Sequence, residues 1–495
     1  MFLNNIINLF DESYSSSGFS HSEAIIKQKN ILNKLVEESK DTKFGKDHNF
    51  RSINNYEDFK CKVPIRDYEG FRGYIKKIKN GEKDITWKNK PLYLAKTSGT
   101  TSGTKFIPIT KESLPNHINS AKHLLYDYFK KKKKIKPFLG KVMFLSGTPN
   151  LDEENGIKIG RLSGIVNHHK PFFLKNKSLP SSKTNQIDSW EKKIDNIVEE
   201  TLDQDLRIIG GIPPWIQMYF DVLIEKTGKK ISQIFPNLEL LCHGGVNFQP
   251  YKSNLFNSIG KEIDTLETFP ASEGFFAYQN DLCSDDLLLQ VNSGIFFEFV
   301  ELNELKNEKP KRISIEEIKL DTNYAMMITS NAGLWSYDIG DTIKFTNINP
   351  LKIKVSGRTK QYISAFGEHV IVDEVDRSLK KTCEKFKEVE IVEYTVGPRI
   401  INQKSKSHHE WFIEFKSPPH SFKDFENELD FNMKNLNIYY KDLRKDKILS
   451  RLKITRAKNK SFIRFMKSIG KLGGQNKVPR LSNNIILIEN IKKLG

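Results

Sequence analysis

The sequence predicts an α/β protein in two parts: a large N-terminal domain of β-sheets with flanking helices, and a smaller α+β domain after it. Three observations carry this prediction. Apolar runs too short for helices recur in KVMFLSGT (141–148), DLRIIGGIPPW (205–215) and LELLCHGGVN (238–247), with helical spacing of apolar residues between them. The length of 495 residues exceeds what one core usually organises, so two or three folded units are expected. After Ser356-Gly357-Arg358-Thr359 the pattern changes to short strands followed by helices. These features divide the chain into a domain at 1–355, a hinge at 356–360 and a domain at 361–495.

Taken in order, residues 20–45 read as helical, with Ile25, Ile26, Ile31, Leu32 and Leu35 at helical spacing. VPIRDYEGFRGYI (63–75) begins extended at its proline and then turns helical. PLYLAKTSGTTSGTKFIPIT (91–110) places apolar runs on both sides of a Gly/Ser/Thr loop, which predicts a strand, a tight loop, then a strand or helix. In DLRIIGGIPPW a strand gives way to a helix opened by Pro213 and Pro214. DTLETFPASEG (264–274) is a further strand, and IFFEFVEL (295–302) an antiparallel one. YAMMITSNAGLWSYDIGDTIKFT (324–346) reads as strand, turn, strand. Beyond the hinge, EVEIVEYTVGP (388–398) and EWFIEFKSP (410–418) are strands, followed by helix around 422–436.

Composition narrows the function. Hydrophobic residues at 38% and aromatics at 11% suffice for a real core, so disorder is not expected. A net charge of +18 favours anionic ligands, yet lysines are interleaved with Asp and Glu. The one dense run, Lys130 to Lys134, reads as a solvated helix end. No nucleic-acid partner is therefore expected. Four cysteines without a CxxC pair offer no zinc site and suit a reducing cytoplasm. MFLNNIINLFDESYSSS lacks the basic start of a signal peptide, and no stretch approaches about 18 uninterrupted apolar residues. The expectation is a cytoplasmic monomer without stable membrane association.

Five motifs can carry chemistry. In Ser98-Gly99-Thr100-Thr101-Ser102-Gly103-Thr104-Lys105, small residues let the backbone approach an anion, and N–H groups, hydroxyls and Lys105 would bind phosphate oxygens. The GK[ST] order of a Walker A loop is missing. In Phe269-Pro270-Ala271-Ser272-Glu273, a carboxylate follows a strand; hard magnesium needs such oxygens, although a lone Glu there is more often a solvated loop residue. In Tyr337-Asp338-Ile339-Gly340-Asp341, Asp341 could accept ribose hydroxyls or serve only the turn. Arg358 could reach ribose or phosphate from the hinge. Gly473-Gly474 precedes Lys477, a lysine that a mobile loop could swing into a cleft. Each motif alone is weak, but their order is that of adenylate-forming enzymes.

With these motifs in place, the chain resembles the Gretchen Hagen 3 (auxin-responsive) family of acyl acid amido synthetases, in particular its shorter bacterial-type members. TSGTTSGTKFIP, GRLSGIVNHH, GIPPW, FPASEG, LWSYDIGDT, SAFGEHV and GGQNKVPR carry the resemblance over nearly the whole chain. It implies an adenylate-forming-enzyme-like N-terminal domain that binds nucleotide and acyl acid, with a smaller C-terminal domain that rotates over it. It also implies ATP and magnesium as cofactors, and a carboxylic acid and an amine, an amino acid, as substrates. The phosphate loop maps onto Ser98 to Lys105, and Gly245, Phe269, Ser272, Asp341 and Arg358 join the nucleotide site. Glu273 would hold magnesium and Lys477 is the late catalytic lysine. The phosphate loop is one residue shorter than in plant members, and Phe and Pro replace Tyr and Ala in the second motif. Ser163, His168, His169, Trp215 and Tyr219 are candidates to line the acyl pocket. An acyl-CoA synthetase is the alternative reading.

Overall fold

The computed structural model describes residues 18–494 apart from 101–102, 133–136, 138, 170–175, 188, 247, 359–361, 369, 402–406, 470–477 and 484. For residues 98–100, 103, 190–191, 249–250, 306, 358, 362 and 373 only the backbone is described. The largest sheet has twelve strands. Five of them, Asp264–Ala271, Leu240–Gly244, Leu206–Gly211, Lys141–Phe144 and Ser178–Leu179, lie side by side and pair in parallel. Parallel neighbours need crossover connections, and helices Trp190–Thr201, Pro213–Thr227 and Gln249–Ile259 lie in those stretches of chain. Such strands are covered on both faces, which is why they read as continuous apolar runs.

On its other side Asp264–Ala271 pairs antiparallel with Gly274–Gln279. The sheet then continues through Leu287–Leu289, Leu351–Arg358, Leu334–Ile348, Asn323–Ser330, Ile295–Glu301 and Arg312–Ile313. Asp264–Ala271 is thus the seam between the parallel and antiparallel halves. The expected antiparallel strand at 295–302 is there. The segment expected as a strand over 264–274 is a strand only as far as Ala271 and then a tight hairpin: Ala271 faces Gly274, and Ser272-Glu273 are the two turn residues. A second sheet of four strands, in the order Gly103–Ile109, Tyr93–Thr100, Ile157–Gly160, Asp152–Glu154, carries the Ser/Thr/Gly loop.

The smaller domain is built on the strands Glu390–Arg399, His408–Ser417 and Lys453–Arg456. Alternate residues of these strands point to opposite faces. Tyr394, Val396, Trp411 and Ile413 join a cluster with Val375 and Leu379, Phe425 and Leu429, and Tyr440 and Leu443, from helices Val372–Lys385, Phe422–Leu436 and Ile438–Lys445. Phe412 joins a separate cluster with Phe462, Phe465, Ile488 and Ile491, from helices Ser461–Ser468 and Ile486–Leu494. The first cluster also includes Leu145, Trp215 and Tyr251 of the larger domain. Of the segment expected as a hinge, 356–360, residues 359 and 360 lie outside the described residues. Ser356, Gly357 and Arg358 belong to a strand of the large sheet, with Gly357 opposite Thr342 and Arg358 opposite Asp341.

One buried charge ties the antiparallel half together. Glu298 has no exposed surface and accepts hydrogen bonds from Ser336 Oγ at 2.7 Å and Tyr56 Oη at 3.2 Å. Arg312 approaches it at 3.5 Å, donates to the carbonyls of Lys60 and Val63 at 2.7 Å each, and also donates to Ser336 Oγ. A buried carboxylate is tolerated only when paired in this way. Glu298→Ala leaves the guanidinium buried without its counter-ion, and should cost about 3–5 kcal/mol of stability in urea titrations. The apolar pair Glu298→Leu with Arg312→Met should recover most of that loss.

Candidate functional site

The phosphate-loop candidate is the tip of a hairpin. Strands Tyr93–Thr100 and Gly103–Ile109 pair antiparallel, with Thr97 opposite Lys105 and Thr100 opposite Gly103. The register slips by one between these pairs, the mark of a bulge, which twists the tip and frees backbone groups there. Ser98, Gly99, Thr100 and Gly103 therefore sit at the end of the hairpin, while Thr101 and Ser102 lie outside the described residues. Lys105 is at the root of the tip, its Nζ 5.8 Å from the centre of the Tyr68 ring. Tyr68 Oη accepts the Phe106 N–H at 3.0 Å.

Glu273 is presented by the second hairpin, and Asn116 fixes that hairpin. Strand Leu287–Leu289 reaches only Ala277, Tyr278 and Gln279 of its neighbour. At Phe275 a side chain takes the place of a strand: Asn116 Oδ1 accepts the Phe275 N–H at 2.7 Å, and its Nδ2 donates to the Phe275 carbonyl at 3.1 Å. Asn116 is buried on helix Leu114–Lys132. The turn bearing Glu273 is thus held two residues away by a peptide-like clamp.

The third element is strand Leu334–Ile348, which carries Tyr337 and Asp341. Ser336, held by the Glu298–Arg312 cluster, has a left-handed backbone at φ 45°. Arg66 then bridges Tyr337: its N–H donates to the Ser336 carbonyl at 3.1 Å and its carbonyl accepts the Asp338 N–H at 2.8 Å. Gly340 has φ 81°, and its N–H donates to Asp338 Oδ1 at 2.8 Å, which makes the turn toward Asp341. Tyr337 is completely buried, and its hydroxyl has no hydrogen-bond partner among the described residues. Burial, and then the nearby Glu273 carboxylate, hold this phenol well above its usual range, with Tyr68, Asp338 and Asp67 adding to the effect. Glu273, Tyr68, Asp338 and Asp67 therefore all act on one phenol.

Gly245 and Phe269 sit next to each other just past the last paired residues of adjacent parallel strands, Gly244 and Thr268. Gly245 has φ 80°, and a Cβ there would meet nothing closer than Ile212 at 3.9 Å. That open, exposed shelf at the carboxyl ends of parallel strands is where α/β sheets take nucleotides. Phe269 is partly buried, its ring 5.2 Å from Phe276 and edge-on. Ser272 shares the turn with Glu273. Asp341 lies opposite Arg358 in register, of which the backbone alone is described. Lys477 lies outside the described residues.

The acyl-pocket candidates divide. Helix Leu162–His168 carries Ser163 and His168 and packs Gly164 on the Thr148–Pro149 backbone, and His168 Nε2 bonds the Pro149 carbonyl at 2.8 Å. His169 pairs with Tyr93 Oη at 2.8 Å. Trp215 faces the same loop, 4.0 Å from where a Cβ on Gly147 would stand. Tyr219 does not belong with them. It has no exposed surface, and its hydroxyl is bonded to Thr201 Oγ1 at 2.6 Å, so it is a core residue of helix Pro213–Thr227.

Among the described residues no group of three or more His, Cys, Asp or Glu could hold a metal. That suits magnesium here, since the ion is ordinarily bound by one or two carboxylates plus substrate phosphates and water. Glu273, a single carboxylate on a two-residue turn, fits that pattern. Asn116, Asp67 and Tyr68 were not singled out from sequence. The VPIRDYEGF stretch was the available signal for the last two, and Asn116 had none.

Sequence profiles describe the next step. The GH3 family N-terminal domain matches residues 20–188 and 150–263, its central domain 288–358 and its C-terminal domain 373–485. The chain belongs to the GH3 family. The phosphate-loop hairpin lies in the N-terminal match, Tyr337 and Asp341 in the central match and Lys477 in the C-terminal match, while Phe269 to Glu273 fall between the first two. Relatives include the jasmonoyl–L-amino acid synthetase JAR4 of Nicotiana attenuata, 22% identical over 64% of this chain and 66% of that protein. The indole-3-acetic acid-amido synthetase GH3.15 of Arabidopsis thaliana is 23% identical over 86% of this chain and 85% of its own. The chain thus spans just under two thirds of JAR4. Among solved structures, the GH3.15 acyl acid amido synthetase is similar with a TM-score of 0.57 at 17% identity, covering 95% of this chain and 93% of that one. A 2-hydroxyisobutyryl-CoA ligase reaches 0.58 at 11% identity, covering 98% of each chain. The fold, a large domain followed by a smaller one, is shared with both of these structures. No helix among the described residues is long and apolar enough to cross a membrane.

Two substitutions test this geometry. Asn116→Leu, similar in size, leaves both Phe275 backbone groups unpaired and should lower stability by about 2–3 kcal/mol in denaturant titrations. The second concerns Glu267, in register with His243, on the seam strand. Burial, and then Asp285, push its carboxyl up to about 7, against the pull of Lys354. The folded chain then keeps a proton that the unfolded chain releases above about 4.5, so stability falls as pH rises from there to about 7. Glu267→Gln should gain about 2 kcal/mol at pH 8, allowing for solvent screening, and nothing at pH 4.

Proposed function

We propose that this GH3 protein uses ATP to activate a carboxylic acid as an acyl-adenylate and then passes the acyl group to the amine of an amino acid. The reading rests on one observation above all. The Glu273 turn and Tyr68, which meets the phosphate-loop hairpin at Phe106, both act on Tyr337, on the strand bearing Asp341, although these segments are far apart in the chain. The names of the relatives, which are amido synthetases, support the amine as acceptor.

In the first half-reaction a carboxylate oxygen forms a bond to the α-phosphorus of ATP, and pyrophosphate leaves. Backbone N–H groups and hydroxyls at the hairpin tip bind the polyphosphate, with Lys105 adding charge. Asp341 accepts the ribose hydroxyls, and Phe269 and Gly245 border the base. Glu273 would hold magnesium, which neutralises phosphate charge when bound. Lys477 stabilises the charge that develops at the α-phosphate. In the second half-reaction the amine nitrogen bonds to the acyl carbon, the C–O bond to AMP breaks, AMP departs with the electron pair, and the amine proton passes to solvent. Ser163, His168 and Trp215, around the Gly147–Pro149 loop, border the acid.

The purified protein should catalyse acid-dependent exchange of labelled pyrophosphate into ATP, and Glu273→Gln should reduce it about 100-fold while leaving the protein folded. No exchange with a broad panel of acids would remove the reading. Product masses obtained with amino acids and with CoA separate an amide ligase from a thioester ligase.

A further inference from the structure

The smaller domain touches the strand that leads into the phosphate loop. Tyr439 Oη, on helix Ile438–Lys445, donates to the Lys96 carbonyl at 2.8 Å. Lys96 stands next to Thr97, two residues before Ser98 at the loop tip. The Arg161 guanidinium covers the Tyr439 ring at 4.5 Å and pairs with Asp442, one turn along the same helix. Burial raises the Tyr439 phenol, opposed by Arg161 and a hydrogen bond with Thr97, and Glu273 adds to the rise. The tyrosine therefore reaches the neighbourhood of Glu273 from the other domain. A second tie lies farther along the interface, where Tyr251 Oη donates to the Ala365 carbonyl at 2.6 Å.

The face that makes these contacts decides their meaning. Helix Ile438–Lys445 covers the side of the three-stranded sheet to which Trp411 and Ile413 point. Met466 and Val478 pack with Phe412 on the opposite side. The domain thus turns toward the phosphate loop the face opposite Phe412 and Val478. Adenylation draws on Lys477, whereas amide formation needs the adenylate covered and its strand held still. We propose that Tyr439 is a positioning residue for amide formation: by holding the Lys96 carbonyl, with Arg161 and Asp442 as its clamp, it fixes the smaller domain over the adenylate while the amine attacks. This inference rests on the function proposed above.

The two half-reactions can be measured apart. Tyr439→Phe keeps the ring and removes only the hydroxyl. Pyrophosphate exchange should stay within about twofold of the parent protein, while single-turnover amide formation from preformed adenylate should slow about fivefold. Arg161→Asp should slow amide formation by a similar factor, and Arg161→Asp with Asp442→Arg should restore it, since the ion pair is rebuilt with its polarity reversed. Thermal melts of each variant confirm that it is folded. Equal losses in both half-reactions, a loss in exchange alone, or unchanged amide formation would each overturn the assignment while leaving the adenylation reading intact. A parent protein without exchange would instead overturn that reading.

Discussion

The Glu298 carboxylate is the constraint on which the site's geometry depends. It is buried at the centre of a strand and must be satisfied by groups that come to it. Ser336 and Arg312 do so, and Arg312 in turn gathers the carbonyls that end helix Tyr56–Lys62. The chain leaving that helix is then in position for Arg66 to bridge Tyr337, and Tyr68 to meet the phosphate-loop hairpin. A single desolvated charge thus joins the first helices, the long strand and the loop, which hydrophobic packing alone would not align in register.

The seam of the large sheet explains why Glu273 is where it is. Parallel strands end level with one another, and the shelf beyond them is open. Asp264–Ala271 overshoots its parallel neighbour by three residues and turns back sharply. Overshooting strands lose their pairing, so the returning strand must be anchored from outside the sheet. Asn116 supplies that anchor.

Much of this was legible in the sequence, unevenly. The parallel strands at 141, 206 and 240 show as apolar runs because both faces are covered, and the Gly/Ser/Thr loop between strands is local chemistry. In the stretch read as a hinge, Gly357 sits in a strand opposite Thr342, a pairing across the sheet that local sequence does not display. Tyr219 resembled a pocket residue because an aromatic in an apolar helix has no visible partner, and Thr201 is that partner. Asn116 and Tyr439 left no signature, since each acts on a backbone group far away in sequence and a polar side chain on a helix is common. Pairwise contacts over 150 residues are invisible to periodicity.

The three-stranded sheet of the smaller domain is clothed by different helices on its two sides, each with its own cluster of apolar residues. Such a body can offer two unlike surfaces without refolding, as the sides of a coin share one thickness. Sequence change can also reach them separately. A new side chain on helix Ile438–Lys445 alters what meets the phosphate strand, while Phe412, Phe465 and Ile491 on the reverse keep their packing. Refinement of one surface is thereby decoupled from upkeep of the other, and a small domain can diversify on one side while it is conserved in shape on the other.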